Sequence, residues 1–246
     1  MNLLAIIGGS GLTSLNGLEI KRQKKQQTPY GEPSGPLIFG VFSGSDIVFM
    51  PRHGNPHNIP PHKINYRANL WALKENNVKN VIGVNAVGGI TQKMSPGRLV
   101  IPDQIIDYSW GRAHTFFEDE TDDISHIDFT HPYCDTLRKK LIHASQVSNL
   151  DVITHGIYGA TQGPRLETAA EINRMERDGC SIVGMTGMPE AALARELELN
   201  YASIAIVANW AAGKSKQELS MAMIMKNLDK GISKVTKLLE TLISDI

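Results

Sequence analysis

This sequence predicts an α/β fold around one central sheet, on three observations. Short β-branched runs end in glycine or polar turns, helical stretches alternate with them, and no linker or repeat divides the chain. Residues 3–7, 46–50, 80–84, 181–185 and 201–207 are apolar enough to be buried on both faces, which marks them as central strands of a mostly parallel sheet. Helices are expected over 65–76, 131–146, 168–178, 190–196 and 217–243. The last carries Ile232, Val235, Leu238, Leu239 and Leu242 at 3-4 spacing, an apolar stripe that packs on the core or on a partner subunit. Residues 1–246 read as a single domain, and the acidic segment 117–128 reads as an exposed loop.

Composition narrows the function. The 25 Lys and Arg balance 25 Asp and Glu, so no global field draws the chain to nucleic acid or an acidic membrane. Small molecules are the expected partners. The apolar start runs directly into glycines, as a buried strand does and a signal peptide does not, and no run approaches the ~18 apolar residues of a membrane span. Cys134 and Cys180, far apart, support neither a disulfide framework nor a zinc site. A cytoplasmic, metal-free protein is expected.

Several motifs are candidates for chemistry. Gly8-Gly9-Ser10-Gly11 follows the first strand, where backbone N–H groups and the Ser10 hydroxyl can surround an anion. A dinucleotide fingerprint requires a third glycine where Ser14 stands, which argues against NAD. Gly213-Lys214-Ser215 resembles the end of a P-loop, but Ala208 occupies the position of its first glycine. His53, His57 and His62 lie among Pro56, Pro60 and Pro61, which prevent the regular helix that would align them on a metal. Arg52 and His53 follow a strand and either donate to a phosphate or satisfy loop carbonyls. Glu167 opens a helix, either as its capping acid or as an acceptor for a ligand N–H. Asn209 follows the strand 202–207, at a strand end where α/β folds place ligands, and its amide both donates and accepts.

Six ordered stretches carry a stronger signal: Arg52-His53-Gly54 with His57 and Ile59; Ile64-Asn65-Tyr66-Arg67-Ala68-Asn69; Asn85-Ala86-Val87-Gly88-Gly89-Ile90; Gln162-Gly163-Pro164-Arg165; Met185-Thr186-Gly187-Met188-Pro189-Glu190; and the strand before Asn209. Together they resemble, over essentially the whole chain, the trimeric nucleoside phosphorylases, the family that includes purine nucleoside and methylthioadenosine phosphorylases. The resemblance implies a single-domain nucleoside phosphorylase fold, a mixed central sheet flanked by helices. It implies no cofactor, with inorganic phosphate as co-substrate, and a homotrimer.

Residue by residue, the resemblance assigns phosphate to Ser10, Arg52, His53, Asn85, Ala86 and Thr186. It sets Met185 under the ribose and lines the nucleoside with Gly88, Glu167, Asn209, Trp210 and Ala211. His126, from a neighbouring subunit, and Met221 border the 5′ group. Asn209 and Glu167 carry the catalytic role, stabilising the departing purine. Methylthioadenosine phosphorylases have aspartates where Asn209 and Ala211 stand, and a serine at the place of Glu167. The pair found here is instead that of enzymes for 6-oxopurines, whose N1–H a carboxylate can accept. The 5′ side resembles the methylthio branch, so the expected substrate joins a 6-oxopurine to a 5′-methylthio sugar. Competing expectations are an inosine/guanosine phosphorylase, a methylthioadenosine phosphorylase, a dinucleotide-dependent oxidoreductase and a non-catalytic nucleoside-binding module.

Overall fold

The computed structural model describes residues 3–118, 125–216, 218 and 220–244. Eleven strands form one sheet: β1 (Leu3–Gly8), β2 (Glu19–Lys24), β3 (Leu37–Phe42), β4 (Ser45–Pro51), β5 (Val78–Gly89), β6 (Leu99–Val100), β7 (Gln104–Asp107), β8 (Val152–Ile153), β9 (Ile157–Ala160), β10 (Ile182–Gly184) and β11 (Asn200–Trp210). Among the described residues five α-helices flank it: α1 (Tyr66–Glu75), α2 (Asp135–Val147), α3 (Ala169–Arg177), α4 (Gly187–Glu196) and α5 (Met221–Ser244). The order β2-β3-β4-β1-β5-β10-β9-β7 forms the main path, while β11 lies along the other edge of β5 and carries β6 and β8.

All five expected strands and all five expected helices form. The sheet, expected from alternation to be mostly parallel, is mixed: β2, β3 and β4 form an antiparallel meander, and β10 runs antiparallel to β5. This agrees with the resemblance. The last helix begins at Met221; of its expected first turn, residues 217 and 219 lie outside the described residues. So do residues 119–124 of the acidic segment.

Burial explains why these segments fold so. β1 and β11 are buried almost throughout, and their two faces feed separate cores. On one side Ala5, Ile7, Tyr201 and Ala205 meet Leu70 and Leu73 of α1 and Leu193 of α4. On the other, Leu4, Ile6, Ile204 and Ile206 meet Leu141 of α2 and Val235, Leu238 and Leu242 of α5. The apolar stripe of α5 therefore packs on its own chain's core. At Gly231 the helix backbone comes so near Ile206 that a Cβ would collide with it. No helix among the described residues is long and apolar enough to cross a membrane.

Candidate active site

β5 creates an opening in the sheet. Its first half pairs with β1 as far as Gly83, and Gly88 and Gly89 pair with β10. Because β1 is parallel to β5 and β10 antiparallel, the carboxyl ends of β1 and β10 face each other along one edge of β5, across residues 84–87. Strand-edge groups left there need other partners. The Val84 carbonyl accepts from Arg52 Nη1 at 2.8 Å, and Ile90 N donates to Ser181 O on the same edge. Backbone alternation then turns the Ala86 N–H toward that opening as well.

Most of the expected phosphate residues stand around this gap. Ser10 lies in the turn after β1, half-buried, with Oγ 3.2 Å from His57 Nε2. Gly9 beside it sits on the Arg52 guanidinium: a Cβ there would stand 2.9 Å from Nη1, so only glycine admits this approach. Asn85 and Thr186 meet across the gap, with Asn85 Nδ2 donating to Thr186 Oγ1 at 2.7 Å. Asn85 Oδ1 in turn accepts from Ser203 Oγ at 2.8 Å. Since Thr186 Oγ1 accepts from Asn85, its own proton is left to donate to an anion.

Two assignments need correction in detail. Arg52 is wholly buried, and three of its five N–H groups are already used. Nε and Nη2 hold the two oxygens of Glu190, at 2.6 and 2.8 Å, and Nη1 holds the Val84 carbonyl. Of the two sequence readings of Arg52, the structure shows the one in which it satisfies a carbonyl; two of its N–H groups take no part in these bonds. Burial works against its charge, but the Glu190 carboxylate more than offsets this and raises its pKa. His53 is not the expected simple donor. Its Nδ1 donates to the Ile59 carbonyl at 2.8 Å, and burial, followed by the neighbouring Arg52, pushes its pKa down to about 4. The neutral ring keeps Nε2 as an acceptor, suited to a phosphate O–H. His57 stacks on it with ring centres 4.3 Å apart.

The two residues expected at the base come from opposite sides of the β5–β10 pair, Glu167 from the segment after β9 and Asn209 from β11. Glu167 is not the capping acid of α3: Thr168 is the N-cap, and Glu171 closes a capping box with it. Glu167 instead accepts from Thr161 Oγ1 at 2.7 Å through one oxygen, which leaves the other as an acceptor. Asn209 lies inside β11, beyond a bulge, and not after the strand as expected. Its Nδ2 donates to Trp210 O at 2.8 Å, so Oδ1 remains an acceptor. Gly88 pairs with Asn209 and packs under Ala211, where an added Cβ would lie 3.4 Å from the alanine methyl. Met185 is half-buried against Gly163. Gly213, after β11, abuts Ala169 at the head of α3, which brings the Asn209 and Glu167 segments together. His126 is exposed, and Met221 is 68% exposed at the first residue of α5.

Sequence reasoning missed Glu190, Tyr201, Ser203, Thr161 and Arg112. Glu190 stood in a quoted motif without a role; it is wholly buried and also accepts from Tyr201 Oη at 2.7 Å. Ser203 and Arg112 carry no pattern of their own, because each acts through a partner distant in sequence, and Thr161, six residues before Glu167, has no feature that separates it from other threonines. Lys214, of the rejected P-loop, binds Asn173 and Glu176 of α3. Among the described residues no three His, Cys, Asp or Glu side chains are grouped to hold a metal ion.

Donors of Arg52 and Thr186 gather where β1 and β10 end, and acceptors of Glu167 and Asn209 lie on segments that Gly213 and Ala169 bring into contact. The chain belongs to the phosphorylase superfamily, whose family model matches residues 3–244. It is 51% identical over 244 residues, 99% of both chains, to a probable S-methyl-5′-thioinosine phosphorylase of Pseudomonas syringae pv. tomato. A 6-oxopurine nucleoside phosphorylase of Pyrococcus furiosus is 45% identical over 97% of this chain and 91% of its own. Among solved structures, methylthioadenosine phosphorylase from Schistosoma mansoni in complex with adenine superposes with a TM-score of 0.94 at 32% identity, covering 99% of this chain and 91% of the other.

Proposed function

We propose that this protein is a pentosyltransferase that cleaves S-methyl-5′-thioinosine with inorganic phosphate, giving hypoxanthine and 5-methylthioribose 1-phosphate. The observation that carries the reading is the pair of acceptors on the base side. Glu167 keeps a free carboxylate oxygen, and Asn209 keeps its carbonyl oxygen. A 6-oxopurine offers N1–H to the first and, as it departs, N7–H to the second. Adenine has a bare N1, and an acceptor facing it costs roughly 1–3 kcal/mol. The P. syringae and P. furiosus relatives, both named for 6-oxopurine nucleosides, support the same choice.

Phosphate binds to Ser10, Thr186, the Ala86 N–H and the two remaining N–H groups of Arg52, beside His53 and Asn85. It attacks C1′ while the glycosidic bond is already largely broken, and its charge stabilises the oxocarbenium-like sugar. Asn209 and Glu167 stabilise the electron density passing to the purine. Catalysis is then positioning and electrostatics, with no covalent enzyme intermediate and no cofactor. Met185 packs on the sugar. In the cytoplasm the protein works as a homotrimer, with Met221 and a neighbour's His126 covering the 5′-methylthio group.

The test is turnover of methylthioinosine, inosine and methylthioadenosine side by side, with and without phosphate, with base release followed by chromatography. Phosphate-dependent preference for methylthioinosine is expected, and Glu167→Ala should lower 6-oxopurine turnover about 10- to 100-fold while phosphate KM is nearly unchanged. Preference for inosine removes the 5′ assignment, preference for methylthioadenosine removes the base assignment, and no turnover removes the activity.

A further inference from the structure

Arg112 lies outside every motif that carries the reading above, in the irregular segment after β7, yet its guanidinium is buried between the two halves of the site. Each of its five N–H groups can be matched to an oxygen within 3.1 Å. Nε donates to Gln162 Oε1 at 3.1 Å, and Nη2 donates to the Thr161 and Gln162 carbonyls at 3.0 and 2.8 Å. Nη1 donates to the Met185 and Met188 carbonyls at 2.8 and 2.6 Å, and its carbon stands 5.7 Å from the centre of the Tyr66 ring.

The acceptors fall into two groups with different duties. Thr161 and Gln162 open the turn that leads to Glu167, and Thr161 itself holds the Glu167 carboxylate. Met185 and Met188 flank Thr186, the donor on the phosphate side. One rigid plane therefore sets the distance between the group that receives the purine and the group that presents phosphate. The bond that breaks lies between them, so a shift of either half along that line lengthens the reacting distance. A misplacement of about 1 Å can cost on the order of 100-fold in rate. A lysine, with three donors at one point, cannot bridge acceptors spread around a planar fork.

We infer that Arg112 is a positioning residue of this enzyme, a strap that holds the base-recognising turn 161–167 in register with the phosphate-presenting segment 185–188. The inference rests on the proposed phosphorolysis for its kinetic consequence and on geometry alone for its structural one. Two variants test it in the intact protein: Arg112→Lys, and Gln162→Leu, which removes a single acceptor from the surface end of the strap. In R112K, kcat with methylthioinosine should fall about 10- to 100-fold, with a smaller fall in Q162L. Phosphate KM and the Kd for hypoxanthine should stay within about threefold, because each half keeps its own donors and acceptors.

Hydrogen exchange supplies a readout independent of turnover. Backbone amides of 161–167 and of 185–188 should both exchange faster in R112K, while those of α5 should not. Unchanged exchange in both segments, a kcat within about twofold of the parent in R112K or Q162L, or loss of both affinities in proportion to kcat would each overturn the strap. If R112K does not fold, Q162L decides by the same criteria. Failure of the phosphorolysis reading shows separately, as absence of phosphate-dependent turnover in the unsubstituted protein.

Discussion

Thr186 can donate or accept, and two side chains decide which. Ser203 Oγ donates to Asn85 Oδ1, which fixes the amide so that Nδ2 donates to Thr186 Oγ1. The threonine proton is thereby directed away from Asn85 and is available to the proposed phosphate. Ser203→Ala removes the first link and leaves a buried amide oxygen unsatisfied. Phosphate KM should rise about 3- to 10-fold and stability should fall by about 1–3 kcal/mol, read from phosphate titrations and urea unfolding. An unchanged KM would show that Asn85 holds its orientation without Ser203. His53 gives a prediction in pH. Its pKa lies near 4 in the folded protein, lowered by burial and Arg52, against 6.5 for a free imidazole. As pH falls from 6.5 toward 4, the unfolded chain takes up a proton that the folded protein does not. Stability therefore declines across that window, by up to about 3 kcal/mol. Urea unfolding at pH 7 and pH 5 should show a smaller decline in His53→Asn than in the parent; equal declines would assign the effect to other groups.

Elements place these residues because two strands end head to head beside β5, a relation that no local pattern encodes. The sequence predicts β1, β4, β5, β10 and β11 since each contains a short apolar run, but it does not show that β10 is reversed. β2 was illegible for a different reason: Glu19, Lys21, Arg22 and Lys24 make it an exposed, charged edge strand with no apolar face to announce it. β6 and β8, two residues each, exist only because β11 offers an edge for β6 to pair with. Of the proposed site, Ser10, Glu167 and Asn209 were singled out by local motifs and Asn85 and Thr186 by the family resemblance, whereas Ser203 and Arg112 were not, because their partners lie 46 to 118 residues away. The Glu167 turn also shows why the capping acid was misjudged. Glu171, three residues beyond Thr168, closes the box and is gripped by Arg165, whose hydrogen bonds lower its pKa to about 2. Glu171→Ala should cost about 1 kcal/mol of stability and weaken hypoxanthine binding, because α3 then frays beside Glu167. Thermal unfolding and base titration check both; a loss of stability with unaltered binding would separate the cap from the site.

For the molecule as a whole, the proposed site draws on distant parts of the chain, from Ser10 after β1 to Asn209 in β11. Met221, Met223 and Met225 leave sulfur and methyl surface in water at the head of α5, while the rest of that helix is anchored in the core by Val235, Leu238 and Leu242. Trp110, 72% exposed, and Leu166, 52% exposed, stand on segments tied to each other through Gln162, whose Oε1 accepts from Trp110 N. A neighbouring chain of the proposed homotrimer would cover these side chains. In the proposed homotrimer, that neighbour also brings the His126 segment, exposed here, to the 5′ side. Light scattering should therefore give three times the 27.0 kDa of one chain. Trp110→Asp should shift the population toward monomer, because an ionised carboxylate in an apolar interface costs several kcal/mol. Turnover should fall with trimer content as the W110D protein is diluted. It should recover at high concentration if the neighbour completes the pocket. A monomer of full activity would show that one chain suffices, and would remove both the trimer and the role of His126.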